Sequence, residues 1–377
     1  MATRREFLKA GLGAGAIVLL AGCGGTAAST GPSSGSGVDA DIQKAYDGYV
    51  KQYMPNVSID LLKAAKAEGK VSLYHGQTGS DDASLAIFKQ NFPFLPVETV
   101  ALSGGNMIER FGSEYRAGKY LADLVAITSL PAAMGFQKEG FVMEYKIGPA
   151  DEIAPTHQLP GYIYSQYSSV NAVGYNPTKM KDEDARLFQK WEGLLDPKWD
   201  GKKWAMNSDI SGGALQVLYV FQYKTFGTAL WEKMAKNVNL YPGSVPITDS
   251  IVSGETDIAG GSGADAFGAA YDKGAPVHWV YPEPVLAVPS VQFIASHAPH
   301  PNAAKVYQEF FFSVPSLSNY VQTGAMVDRK NVPDNRKVKS EPWFRPPDTT
   351  KLWPYTPEDI TTGFPEAAKA WRSVFKA

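Results

Sequence analysis

The chain has 377 residues, 44% of them apolar, 20% charged and 12% aromatic, with a formal net charge of −2. That is enough apolar material for one large globular domain or two of ordinary size, and the mild acidity excludes a nucleic-acid binder, which needs a basic face. A single cysteine, Cys23, excludes a disulfide framework and a cysteine-built zinc site.

The first element is a signal. Thr3-Arg4-Arg5-Glu6-Phe7-Leu8-Lys9 precedes a run of small and aliphatic residues over 10–21, too short for a membrane-spanning helix of about 20 residues. A basic patch, a short apolar core and small residues make a secretory signal. The twin arginine is similar to the signal read by the twin-arginine pathway. Leu20-Ala21-Gly22-Cys23 resembles a bacterial lipobox, in which the cysteine is acylated and the chain is cut before it. Residues 1–22 are therefore expected to be a twin-arginine-type lipoprotein signal peptide, with Cys23 as a lipid anchor. Residues 24–38 carry no charge and no aromatic ring and cannot form a core. With Cys23 they are expected to form a flexible tether over 23–38, reaching roughly 20 Å. The G-x-S-x-G match at 31–35 lacks the flanking strand and helix of a nucleophile elbow and is attributed to chance.

A globular body begins near Asp39. Ile42, Tyr46, Tyr49, Val50 and Tyr53 share one helical face, Pro55 ends that helix, Ser58 can cap the next and Gly69 can close it. Strands are predicted near Val71–His75, Val97–Ala101 and 121–127, then near 203–206, Val238–Tyr241 and 256–259, with helical patterns between them. The alternation predicts α/β units with mostly parallel sheets. Residues 169–176 read as an extended crossing between the two halves, and 284–294 as the return.

Polar and glycine-rich stretches stand where strands hand over to helices. Gln77 and Thr78 follow the first strand, Ser103, Gly104, Gly105 and Asn106 the second, and Thr128 and Ser129 the third. In the second half Ser211, Gly212 and Gly213 precede a helix, and Ser262 and Asp265 stand where another begins. A helix N-terminus offers unpaired N–H groups and partial positive charge, and ligands of open α/β sheets bind at the carboxyl ends of strands. Each Ser or Thr taken alone could simply cap its helix. Their spread over both halves favours a shared cleft.

Several longer motifs carry a family resemblance. Lys70-Val-Ser-Leu-Tyr-His-Gly-Gln77, Tyr115-Arg-Ala-Gly-Lys-Tyr-Leu-Ala-Asp-Leu-Val125, Asn171-Ala-Val-Gly-Tyr-Asn176, Trp191-Glu-Gly-Leu-Leu-Asp-Pro-Lys-Trp-Asp-Gly-Lys202 and Ala298-Pro-His-Pro-Asn-Ala-Ala-Lys305 are similar to elements of periplasmic solute-binding proteins of ABC importers, in the ferric-iron, thiamine and phosphonate branch. The resemblance runs from about Gly69 to Pro333. It implies a type II-like two-lobed fold, each lobe a mostly parallel sheet flanked by helices, with a ligand cleft between lobes. Lobe 1 would take 39–168 and 286–340, lobe 2 would take 169–285, and 341–377 would be an extension packed on the body. It also implies a non-enzymatic monomer without cofactor, which captures a small solute and delivers it to an inner-membrane ABC permease. The location would be the periplasm or the outer face of the cell envelope, held there by lipid.

The ligand is less legible. Ferric carriers of this branch place adjacent tyrosines in the stretch that corresponds to Gly254-Glu-Thr-Asp-Ile-Ala-Gly-Gly-Ser-Gly-Ala-Asp265, which has none, and their histidine position carries Thr78. His75 reads as structural and the other four histidines lack metal-ligand spacing, so no metal site is expected. Hydroxyls, amides and glycines at helix N-termini suit an anion: a phosphonate, phosphate ester or carboxylate. Asp265 is either a solvated helix residue or a partner for an amine on the same molecule. Tyr164, Tyr167 and Trp279 either line the cleft or pack the core. Two alternatives stay open, a ferric-iron carrier and a secreted nucleotide-cofactor oxidoreductase. The second rests on the G-x-G-x-x-A match at 261–266, late in the chain and without a ribose-binding acid after it.

Overall fold

β-Branched and aromatic residues recur through Ile163–Tyr175, IYSQYSSVNAVGY, and this stretch forms one 13-residue strand that organises the whole chain. The computed structural model describes residues 38–377 apart from 76–78, 103, 154–157, 209, 211, 212, 323, 357 and 377. Cys23, the signal and tether expectations, Gln77, Thr78, Ser103, Ser211 and Gly212 lie outside the described residues. The described strands are β1 (Val71–His75), β2 (Val97–Ala101), β3 (Leu124–Ile127), β4 (Gln158–Leu159), β5 (Ile163–Tyr175), β6 (Trp204–Asn207), β7 (Val238–Tyr241), β8 (Ile258–Gly263), β9 (His278–Val280), β10 (Ala287–Ile294) and β11 (Met326–Val327).

β5 belongs to two sheets. Its first part pairs with β4, β10 and β11, and its last part with β8 and β9. β10 and then β9 follow one side of β5, while β11 and then β8 follow the other. The first lobe grows outward from β10 as β3, β1 and β2; the second grows from β5 as β8, β6 and β7. Within each lobe three strands run parallel, and the antiparallel pairing is concentrated in the ribbon that joins the lobes. The sheets are thus mixed, with their parallel part on the outside.

Some element bounds differ from the pattern in the sequence. β3 starts at Leu124, not 121, because a left-handed turn at Gly118 leaves Leu121 exposed. β8 runs on to Gly263, so the glycines read as a loop lie in a strand. A Cβ on Gly260 would stand 2.8 Å from Met234 Cε, and one on Gly261 2.8 Å from Leu218 Cδ2. These glycines admit close packing of strand against helix, which removes the reason to read them as a dinucleotide turn. The first helical face does form, as Ala40–Ala45 and Lys51–Tyr53 joined through a π turn at Tyr46–Val50. Ser58 caps Ile59–Glu68 by accepting from Leu61 N at 3.1 Å, and Gly69 closes it in the left-handed region.

Each lobe has an aromatic core. Phe88, Phe92, Tyr307 and Phe310 interlock in the first, and Trp191, Trp199, Trp204, Trp231 and Trp371 are buried in the second. Full burial of such side chains stabilises by about 1.5–3 kcal/mol each. Trp371 comes from the C-terminal helix Phe364–Phe375 and makes an edge contact with Tyr219, 6.0 Å between ring centres. The far end of the chain therefore braces the helix Gly213–Phe226, whose N-terminus enters the site described next. Tyr164 and Trp279 also prove to be core residues, fully buried in the first and second lobes.

Candidate functional site

The site forms where strand ends of the two lobes meet. β3 ends at Ile127, followed by Thr128 and by Ser129, which caps the helix Leu130–Lys138 by accepting from Ala132 N at 3.3 Å. β6 ends at Asn207, and the helix Gly213–Phe226 follows. A Cβ on Gly213 would lie 2.6 Å from the Thr128 carbonyl oxygen and 3.3 Å from the Thr128 Cβ. A helix N-terminus of the second lobe thus rests directly on a strand end of the first.

Asn171 ties this contact to the joining ribbon. Its Nδ2 donates to the Ala214 carbonyl at 3.1 Å, in the first turn of the same helix. Its Oδ1 is buried without a partner, although the residue is only 1% exposed. Across the β5–β8 ladder Asn171 faces Gly263, and directly opposed residues project to the same face. On that face a Cβ on Gly263 would lie 2.5 Å from Asp265 Oδ1 and 3.3 Å from Ser244 Oγ, and Ser244 Oγ accepts from Gly263 N at 3.2 Å. The helices Gly213–Phe226, Ser244–Ser253 and Ala264–Asp272 therefore bring their N-termini together around the Asn171–Gly263 pair. Each contributes unpaired N–H groups and partial positive charge.

Further polar capacity is left unused nearby. Asn207, at the end of β6, is fully buried with neither amide atom partnered, and the Ser262 hydroxyl on β8 is fully buried without a partner. Buried polar groups are nearly always paired, so such atoms call for an unseen partner. Asp265 is reached by solvent yet ringed by protein, and that enclosure pushes its carboxyl pKa up, opposed by N–H groups of its own turn.

Of the residues singled out in the sequence, Thr128, Gly213 and Asp265 converge here, and Ser262 stands beside them, buried. Ser129 flanks the contact as a helix cap. Gly104 opens the helix Gly104–Arg116, and Gly105 and Asn106 are exposed in its first turn; no described contact links them to Thr128 or Gly213. His75 is buried at the end of β1 with Nδ1 3.4 Å from Asp81 Oδ2. Asn171, Asn207 and Ser244 were missed as site residues. Asn171 stands within the crossing strand β5 and Asn207 ends the apolar strand β6; an amide in an apolar strand is the signal in the sequence that points to them. A cavity of about 1020 Å³ lies elsewhere, between the turns over 182–196 and the segment 342–348; Trp279 lines it, but none of the hydroxyl, amide and glycine residues expected to bind ligand do.

No family model matches the chain, and no curated protein matches it in sequence. Solved structures do match in fold, and the class they define is the two-lobed periplasmic-binding-protein fold. Iron-bound HitA from Pseudomonas aeruginosa superposes with a TM-score of 0.62 at 18% identity, over 81% of this chain and 99% of that one. The substrate-binding protein of an ABC transporter from Agrobacterium tumefaciens gives 0.65 at 14% identity, over 81% and 94%. AfuA from Actinobacillus pleuropneumoniae, a periplasmic binding protein with fructose-6-phosphate bound, gives 0.61 at 17% identity, over 82% and 99%.

Proposed function

We propose that this chain is the solute-binding component of an ABC importer, which captures a small anionic solute, a phosphonate, phosphate ester or carboxylate, and hands it to a membrane permease. The observation that carries this reading is the seat of Gly213 on Thr128, with Asn171 between two helix N-termini. An anion at that point would accept charge-assisted hydrogen bonds from backbone N–H groups of the second lobe and from Thr128 of the first. Contacts available from both lobes at once favour the closed form, which is how a ligand drives closure. Cys23, acylated, would hold the protein beside its permease through the 23–38 tether, raising the effective concentration of cargo. The working unit is a monomer that uses no cofactor.

Iron is the second reading, because HitA carries it. The absence of any tyrosine in Gly254-Glu-Thr-Asp-Ile-Ala-Gly-Gly-Ser-Gly-Ala-Asp265 weighs against it. Isothermal titration against phosphonates, phosphate esters, carboxylates and chelated Fe(III) tests both. Saturable binding of a solute with an anionic group supports the first reading; a visible charge-transfer band with iron, or a best ligand that carries no anionic group, overturns it.

A further inference from the structure

Asp265 introduces a difficulty for any purely anionic cargo. Its carboxylate occupies the space that a side chain on Gly263 would fill, on the face of the ladder where Asn171 projects. The first lobe reaches its backbone as well: a Cβ on Gly324, in the turn before β11, would lie 3.3 Å from Asp265 Cα. The Arg336 guanidinium, whose Nη1 would lie 3.5 Å from the same Cβ on Gly324 and is buried without a partner, is turned to Asp334 through two hydrogen bonds of 2.9 Å from Nε and Nη2, and Tyr281 and Asp272 add no positive charge. Among the described residues no lysine, arginine or histidine bridges to Asp265.

A carboxylate that solvent reaches at the mouth of a cleft, with no ion pair of its own, repels a bare anion at short range and attracts a cation there. The neighbouring groups have the opposite preference, since three helix N-termini favour negative charge. Asn171 Oδ1, buried and unpartnered beside them, is a second acceptor waiting for a donor. From this division we infer that the site selects a zwitterion: the anionic end lies at the N-terminus of Gly213–Phe226 against Thr128, and an ammonium end lies between Asp265 and Asn171 Oδ1. The inference rests on the solute-binding reading and narrows its substrate class.

Shape-matched pairs test it. Calorimetry would compare 2-aminoethylphosphonate with propylphosphonate, and 4-aminobutyrate with pentanoate, each pair differing in an ammonium against a methyl group. Wild type should bind the ammonium member of at least one pair about tenfold more tightly or better, the effect of one charged hydrogen bond. In Asp265→Asn the members of that pair should bind within about twofold of each other. Equal affinities in wild type, or a preference that survives in Asp265→Asn, overturn the zwitterion inference and leave the anion reading standing. If no member of either pair binds, this inference falls, and the anion reading is decided separately by the wider panel of phosphonates, phosphate esters and carboxylates. A thermal melt of the variant, expected to be at least as stable as wild type, separates loss of a contact from loss of the fold.

Discussion

Gly213 meets Thr128 backbone to backbone: a side chain on Gly213 would stand 2.6 Å from the Thr128 carbonyl oxygen, so the two lobes close without a side chain between them. Ordinary Cβ contacts do not come within 3 Å, so Gly213→Ala must hold the lobes slightly apart. Each core is untouched, and stability should change by less than about 1 kcal/mol. Affinity for the bound solute should fall about tenfold or more, with a larger radius of gyration by small-angle scattering. Unchanged affinity would mean that this contact is not the one that closes on the ligand.

Asn207 gives a prediction in the opposite direction. Its amide is fully buried and unpartnered, a state that costs about 1–3 kcal/mol. Asn207→Leu keeps nearly the same volume and removes the cost, so the denaturant midpoint should rise while solute binding weakens. A lower midpoint would mean that the amide is paired in solution and serves the fold.

Asp265 should leave a pH signature. Enclosure by protein raises its pKa above the unfolded value of about 3.9. Its charged form therefore costs stability in the folded state. The cost is absent below about pH 4, grows as pH rises through the raised value, and is fully present above it. Tyr281, pushed up to about 12 by burial first, is also raised by the charges of Asp265 and Asp334 and lowered by Arg336. Asp265→Asn should melt above wild type at pH 7.5 and level with it at pH 4 or below. A difference that is independent of pH would remove Asp265 as a charged group in an enclosed site.

Cys23 is tested without reference to the fold. Cys23→Ala should abolish acylation and move the protein from the detergent phase to the aqueous phase in Triton X-114 partitioning. Unchanged partitioning would reject the lipid anchor.

The layout was legible because the apolar periodicities are clear. Val71–His75, Val97–Ala101 and Val238–Tyr241 form as their patterns indicate, and Ser58 and Gly69 bound a helix by ordinary capping chemistry. The start of β8 follows its pattern, but its extension to Gly263 is not legible, because Gly260 to Gly263 have little intrinsic strand preference; the close fit of Leu218 and Met234 decides the conformation there. The same limit applies to the site. A glycine or hydroxyl at a strand end is visible in sequence, but its neighbour across the cleft is not. Gly213 and Thr128 are 85 positions apart, and only the folding of β5 between two sheets brings them together. Asn171 lay within a recognised crossing, yet its role depends on the Ala214 carbonyl it holds and on the Gly263 opposite it.

The central claim is that the cleft holds a small anionic solute between the lobes. Native mass spectrometry of protein purified without ligand exchange tests it most directly. The account predicts one extra mass per chain, released on denaturation and identified as a molecule with a phosphonate, phosphate or carboxylate group, and reduced or absent in Gly213→Ala. A bare chain mass in wild type, together with no saturable binding across the anion panel, would contradict it.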